Sequence, residues 1–143
     1  MAPQTSEAAI VLLALHPRYA NAILNGEKKV EFRRRSFRRE VSHVVIYSTK
    51  PVGGITGIFS VEAVEEAAPD ELWAQYSDVA GLPENTFLSY YSGAESGVAI
   101  KVGTYRALDR PVDLSVLGDG VSAPQSFRYM TKDELPLELR SLL

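Results

Sequence analysis

Lys28, Glu31 and Arg33 lie close together in the stretch GEKKVEFRRRSFRR, from Gly26 to Arg39. In a partly buried cleft, a carboxylate held by two cations stays ionised and accepts hydrogen bonds from an exocyclic amine of a base. An arginine beside it offers a planar, bidentate fork to a phosphate or a base edge. A lysine whose pKa is lowered can act as nucleophile or base, with the glutamate as acid or base. The bland alternative is a salt-bridge network that only ties the fold together. Five of the last seven residues of the stretch are arginine. Arg34, Arg35, Arg38 and Arg39 suit phosphate contacts, which give affinity and salt dependence without sequence readout. Phe37 within the run either stacks on a base or anchors its loop. Ser48 and Thr49 end a strand-like segment and are within reach of a cleft, although such hydroxyls more often satisfy local backbone. Gln125 and Ser126 either bind ligand or cap the body. His16 reads as a structural hydrogen-bonding residue and His43 as exposed at a strand start.

Composition narrows the chemistry. The 143 residues are 45% apolar and 23% charged, ordinary for one globular domain with a real core. The expected layout is a frayed segment over residues 1–9 and a single domain over 10–143. With no cysteine, thiolate chemistry is excluded, and the two histidines argue against a histidine-rich metal site. No apolar run approaches the roughly 20 residues that span a bilayer, and no signal-peptide pattern is present, so the expectation is a cytoplasmic protein without a membrane partner. The net charge of −3 hides a polarity: up to Lys50 there are nine bases and four acids, and from Pro51 onward six bases and fourteen acids. Such a chain can offer a positive face to a polyanion while remaining acidic overall.

The elements that must position these groups follow from pattern. Ile10 to Leu15 is a continuous apolar run, suited to a strand buried on both faces. Pro17 opens a helix with apolar residues at helical spacing, and Gly26 ends it. Lys28 to Arg35 alternates, with Val30 and Phe32 on the buried side and Lys29, Glu31, Arg33 and Arg35 on a charged outer face. Strands are predicted over 43–49, 55–64 and 97–108, with Gly57 a bulge or close-approach point. Helices are predicted over 69–76 and 83–91, with Trp73, Tyr76, Phe87 and Tyr91 at packing positions. A helical turn over 113–117, an ordered loop over 124–129 and a last helical piece broken at Pro136 complete the chain. Strands connected locally with helices inserted imply an α+β fold around a curled, barrel-like sheet. There is no G-x-G-x-x-G or P-loop pattern, and no cofactor is expected.

The block HPRYANAILNGEKKVEFRRR resembles the ASCH domain, a member of the PUA-like superfamily of small β-barrel modules, whose hallmark is a helix, a glycine turn and then G-x-K-x-x-E-x-R. Here the motif falls on Gly26, Lys28, Glu31 and Arg33. The IYST of residues 46–49, the GIFSVEAV strand and the late segment APQSFRY from Ala123 are also similar to the compact prokaryotic branch. The resemblance covers roughly residues 10–130. It implies a PUA-like pseudobarrel with peripheral helices and a cleft beside Gly26–Arg33, and binding of RNA or another nucleic acid. One bacterial group of such domains hydrolyses N4-acylated cytidines with a lysine, a threonine and a glutamate. Lys28 matches the lysine and Glu31 stands at the threonine position. The segment that should supply the glutamate reads DVAGLPE, with Asp78 and Glu84 only as neighbours. Ribonuclease activity is attributed to some relatives.

The reading is a nucleic-acid or modified-nucleotide binding module, its cleft lined by Lys28, Glu31 and Arg33, with RNA as the first expected partner and a protein partner left open. The rival is a small hydrolase or ribonuclease using Lys28 and Glu31.

Overall fold

The computed structural model describes residues 8–143. Of the segment expected to fray, residues 1–7 lie outside the described residues, while Ala9 already opens strand β1. Six strands form one mixed sheet: β1 (Ala9–Leu15), β2 (Val30–Arg33), β3 (Val41–Ser48), β4 (Gly54–Ala67), β5 (Gly97–Val112) and β6 (Phe127–Met130). Their order is β2-β5-β4-β3-β1-β6. β1 runs parallel to β3, and every other neighbouring pair is antiparallel.

β1 is apolar throughout because both of its faces are covered. Val11, Leu13 and Leu15 join a cluster with Val44, Ile46, Phe59, Val98, Ile100 and Val102. Ile10 and Leu12 join a second cluster, with Val45, Ile55, Ile58, Leu117, Met130, Leu135 and Leu139. The first cluster draws side chains from β1, β3, β4 and β5, together with Phe127 and Tyr129 of β6. The sheet therefore curls around it without closing by strand pairing.

What spans the gap is the arginine-rich segment after β2. Phe37 packs against Phe127 with ring centroids 5.0 Å apart. The backbone N–H of Arg38 donates to the Tyr129 hydroxyl at 2.7 Å, and the Arg39 guanidinium lies 5.2 Å from the Tyr129 ring centroid. Phe37 is thus an anchor. The two edge strands β2 and β6 are joined through side chains in place of a ladder, which makes an unclosed pseudobarrel.

Helix α1 (Pro17–Leu24) begins as its proline suggests and is capped by His16, whose Nδ1 accepts from the Arg18 backbone N–H at 3.1 Å. Gly26 follows the helix at φ +87°, and any side chain there would collide with Tyr105. Helices α2 (Pro69–Tyr76) and α3 (Glu84–Tyr90) cover the outer face of β2, where Val30 and Phe32 meet Leu72, Tyr76, Phe87 and Tyr91. Short helix α4 (Leu137–Arg140) closes the far end.

Three expectations change. Residues 127–130 form a strand where a loop was predicted, because β1 supplies an antiparallel partner to Phe127–Met130. β2 is shorter than the alternating run, ending at Arg33 where the chain turns into the closing segment. His43 is half-buried in β3 and its imidazole pKa is pushed down by that burial. No helix among the described residues is long and apolar enough to cross a membrane.

Candidate functional site

Strand register decides where the charged residues point. Glu31 pairs with Ile100 and Arg33 with Val98, and directly opposed residues of neighbouring strands project to the same face. Ile100 and Val98 belong to the inner cluster of the curled sheet. Glu31 and Arg33 therefore face inward, toward the mouth of the pseudobarrel, and the expected charged outer face of β2 is corrected. The outer face is the apolar one, because α2 and α3 cover it.

Glu31 is 7% exposed and Lys28 2%. Lys28 Nζ donates to the Ala80 carbonyl at 2.5 Å and stands 4.0 Å from Glu31 Oε1. It also lies 5.4 Å from the ring centroids of both Tyr19 and Phe32, where an ammonium is favoured by the ring faces. Arg33 Nη1 approaches Glu31 Oε2 at 3.4 Å, and its Nη2 donates to Ser126 Oγ. The result is a row of lysine, carboxylate and arginine spanning the loop before β2 and the strand itself. Burial pushes the Lys28 ammonium below the ordinary lysine range, against the pull of Glu31. Burial pushes the Glu31 carboxyl up, opposed first by Lys28 and then by Arg33. Burial outweighs the attraction between the two groups, so each is driven toward its neutral form and only restrained by the other.

The turn over Lys28 has a sequence requirement. Gly81 has φ +69°, and a Cβ there would sit 2.6 Å from Lys28 Cβ. Only glycine lets the Ala80–Gly81 backbone lie flat on the lysine stem and aim the Ala80 carbonyl at Nζ. The DVAGLPE segment thus reaches Lys28, but it presents a backbone carbonyl, while Asp78 and Glu84 are exposed.

The row borders a cleft of about 230 Å³ lined by residues of β1, α1, β2 and α3, among them His16, Tyr19, Phe32, Thr86 and Tyr90. That volume is under the roughly 300–1,000 Å³ of pockets for drug-sized ligands, so the cleft has room for a small group only. His16 uses Nδ1 for the helix cap, which leaves the proton of the neutral ring on Nε2 as a donor. Tyr19, Thr86 and Tyr90 were not foreseen as lining residues. Tyr90 carries the one visible hint, helical spacing from Phe87 that turns it toward the rim.

The remaining candidates divide. Arg34 donates to the Tyr90 carbonyl and stacks 5.5 Å from the Tyr90 ring centroid, so it reaches the rim. Arg35, Arg38 and Arg39 are exposed along the closing segment. Ser126 meets the row through Arg33, while Gln125 is exposed beside it. Ser48 is 1% exposed and bonds Thr56 Oγ1 at 2.7 Å. Thr49 donates its backbone N–H to Leu15 at 2.9 Å. Neither Ser48 nor Thr49 lines the cleft; their polar groups are used within the β3–β4 end of the sheet. Among the described residues no group of three acidic or histidine side chains is placed to hold a metal ion.

The ASCH domain model matches residues 13–107. The chain belongs to the ASCH domain family. An ASCH domain-containing ribonuclease of Zymomonas mobilis is 33% identical over 136 residues, covering 92% of this chain and 89% of that protein. The crystal structure of ASCH from Zymomonas mobilis superposes with a TM-score of 0.81 at 31% identity, over 87% of this chain and 90% of that one. Large ribosomal subunit protein uL22 of Ureaplasma parvum is 27% identical over 124 residues, which is 84% of this chain but 39% of that protein. As an ASCH domain the chain has the PUA-like α+β fold; Gly26 and Lys28 lie in the connection before β2, and Glu31 and Arg33 lie within it.

Proposed function

We propose that this ASCH domain binds single-stranded RNA, holding one unpaired nucleoside in the cleft over Lys28, Glu31 and Arg33 and carrying the flanking phosphates along Arg34, Arg35, Arg38 and Arg39. The observation that carries the reading is the buried carboxylate flanked by two cations at the border of an open cleft. Taking three charged groups out of water costs stability that apolar residues of similar volume would not, so the row is better accounted for by a polar ligand than by the fold. The aromatic rims at Tyr19 and Tyr90 suit a base, since single-stranded RNA is recognised by stacking and by its exposed Watson–Crick edges. The 33% identical relative, named as a ribonuclease, supports RNA over other polyanions.

The test is binding of labelled single-stranded RNA and double-stranded DNA at two salt concentrations, for wild type and Arg33→Ala. The expected result is salt-sensitive RNA binding that Arg33→Ala weakens about tenfold, or about 1.4 kcal/mol. RNA affinity unchanged by the substitution overturns the reading.

A second reading, cleavage of the bound RNA, is favoured by the same relative and by the directions in which burial drives the pair. A neutral Lys28 amine takes the proton of a ribose 2′-hydroxyl as its oxygen attacks the adjacent phosphorus. A protonated Glu31 gives its proton to the departing 5′-oxygen, leaving a 2′,3′-cyclic phosphate. Gel analysis of RNA after incubation separates cleavage from binding. Deacetylation of N4-acetylcytidine is the corresponding assay for amide hydrolysis, for which the chain offers the Ala80 carbonyl where the resemblance asks for a glutamate.

A further inference from the structure

The order of donors and acceptors along the Lys28–Glu31–Arg33 row is itself specific. Resting on the reading of the cleft as a nucleoside site, we propose that the base it selects is guanine, read on its Watson–Crick edge and the adjoining N3 by Lys28, Glu31 and Arg33.

Hydrogen-bond capacity remains in the row after its internal contacts are counted. Lys28 has three N–H groups and donates to Ala80 O at 2.5 Å, which leaves two. Glu31 has about four lone-pair sites. Lys28 approaches one of its oxygens at 4.0 Å and Arg33 the other at 3.4 Å. Both separations exceed the roughly 2.7–2.9 Å of a closed charge-assisted bond, so the row is aligned without being collapsed on itself. Arg33 is steadied from outside by Ser126 Oγ, through Nη2, and still has further donors in its guanidinium fork.

Read from one end, the row is donor, acceptor, acceptor, donor. Guanine presents O6, N1–H and N2–H₂ on its Watson–Crick edge, which is acceptor, donor, donor, and N3 follows as an acceptor on the adjoining sugar edge. The two adjacent donors of guanine meet the two oxygens of one carboxylate, the bidentate arrangement that a carboxylate accepts best. Adenine and cytosine each begin with an amino donor followed by an acceptor, and so match only at the step from the carboxylate to a cation. Uracil sets its O2 against the second carboxylate oxygen, acceptor facing acceptor. A site built on hydrogen bonds rejects a base that leaves its buried groups unpaired more strongly than an apolar pocket rejects a poor fit. Stacking on Tyr19 or Tyr90 adds affinity for any base, so the preference comes from the row alone.

The experiment is equilibrium binding of the wild-type chain to short oligouridine RNAs that differ in one central base. Central guanine is expected to bind about tenfold or more tightly than adenine, cytosine or uracil, within the discrimination a good bidentate pair supplies. Replacing that guanine by hypoxanthine removes only the 2-amino group and is expected to forfeit about tenfold. Replacing it by 7-deazaguanine, which keeps the Watson–Crick edge, is expected to change nothing. Equal affinity for all four bases, a preference for another base, or hypoxanthine bound as tightly as guanine overturns the inference and leaves RNA binding standing. Failure of every RNA to bind overturns the RNA reading and this inference with it.

Discussion

Lys28 and Glu31 are each driven by burial toward the neutral form and each restrained by the other, so removing one is felt at the other. In Lys28→Met, Glu31 loses one of the two cations whose charge opposes its upward shift. A carboxyl whose pKa is raised by folding binds its proton more readily folded than unfolded. Stability is then kept below the ordinary carboxylate range and lost as pH climbs from there toward the folded value. At acid pH the wild type in turn holds Lys28 charged and without its carboxylate partner. The deficit of Lys28→Met is therefore expected to be about 3 kcal/mol at neutral pH and to shrink as pH falls into the carboxylate range. Urea unfolding over a pH series measures it, and a deficit independent of pH would sink this account of the pair. At this scale the motif residues were legible as a group, because the types and spacing of Lys28, Glu31 and Arg33 are local. Their orientation was not. Alternation divides β2 into two faces, but α2 and α3 cover the outer one while the inner one turns Glu31 and Arg33 toward the cleft, so polarity alone points to the wrong side. Ser48 shows the converse: a hydroxyl at a strand end, satisfied inside the sheet by Thr56.

Positioning of the row falls to the elements around it, above all the turn between α2 and α3. Gly81→Ala places a side chain against Lys28 at a left-handed φ. The expected cost is about 1–3 kcal/mol of stability, with weaker RNA binding as the Ala80 carbonyl leaves Nζ. An unchanged denaturation midpoint would show that the turn does not clamp the lysine. Helix α1 was readable end to end from Pro17 and Gly26, and α2 from its proline and acidic first turn. β1 was readable from six apolar residues in succession. β6 was not, since FRYM has neither length nor alternation and becomes a strand only beside β1, more than a hundred residues earlier in the chain. The role of Phe37 as an anchor depends on that same strand, through Phe127.

For the molecule as a whole, the charge polarity of the sequence becomes a place. The arginine segment bridges the two open edges of the pseudobarrel and begins at the cleft, with Arg34 on Tyr90 at the rim and Arg39 on Tyr129 beyond it. On the proposed reading, RNA held at the cleft would run over the closing segment, while the acidic remainder of the chain would repel its backbone elsewhere. Arg35→Ala and Arg38→Ala are each expected to lower affinity for all sequences alike and to reduce the slope of log affinity against log salt by about 1. Titrations at several salt concentrations give that slope, and a slope unaltered in both variants would place the phosphate path elsewhere. Affinity would then have to come from the cleft alone, with the closing segment left a structural role.

The most direct measurement is RNA binding by the double variant Lys28→Met/Glu31→Met, set beside its unfolding curve. Replacing both members of a buried pair with apolar residues of similar length leaves no buried charge unpaired within the pair, and such replacements are often neutral or stabilising. The fold is expected to unfold at or above the wild-type midpoint, while affinity for single-stranded RNA falls tenfold or more, about 1.4 kcal/mol. A folded double variant that binds RNA as tightly as wild type would contradict the central claim that this row holds the ligand.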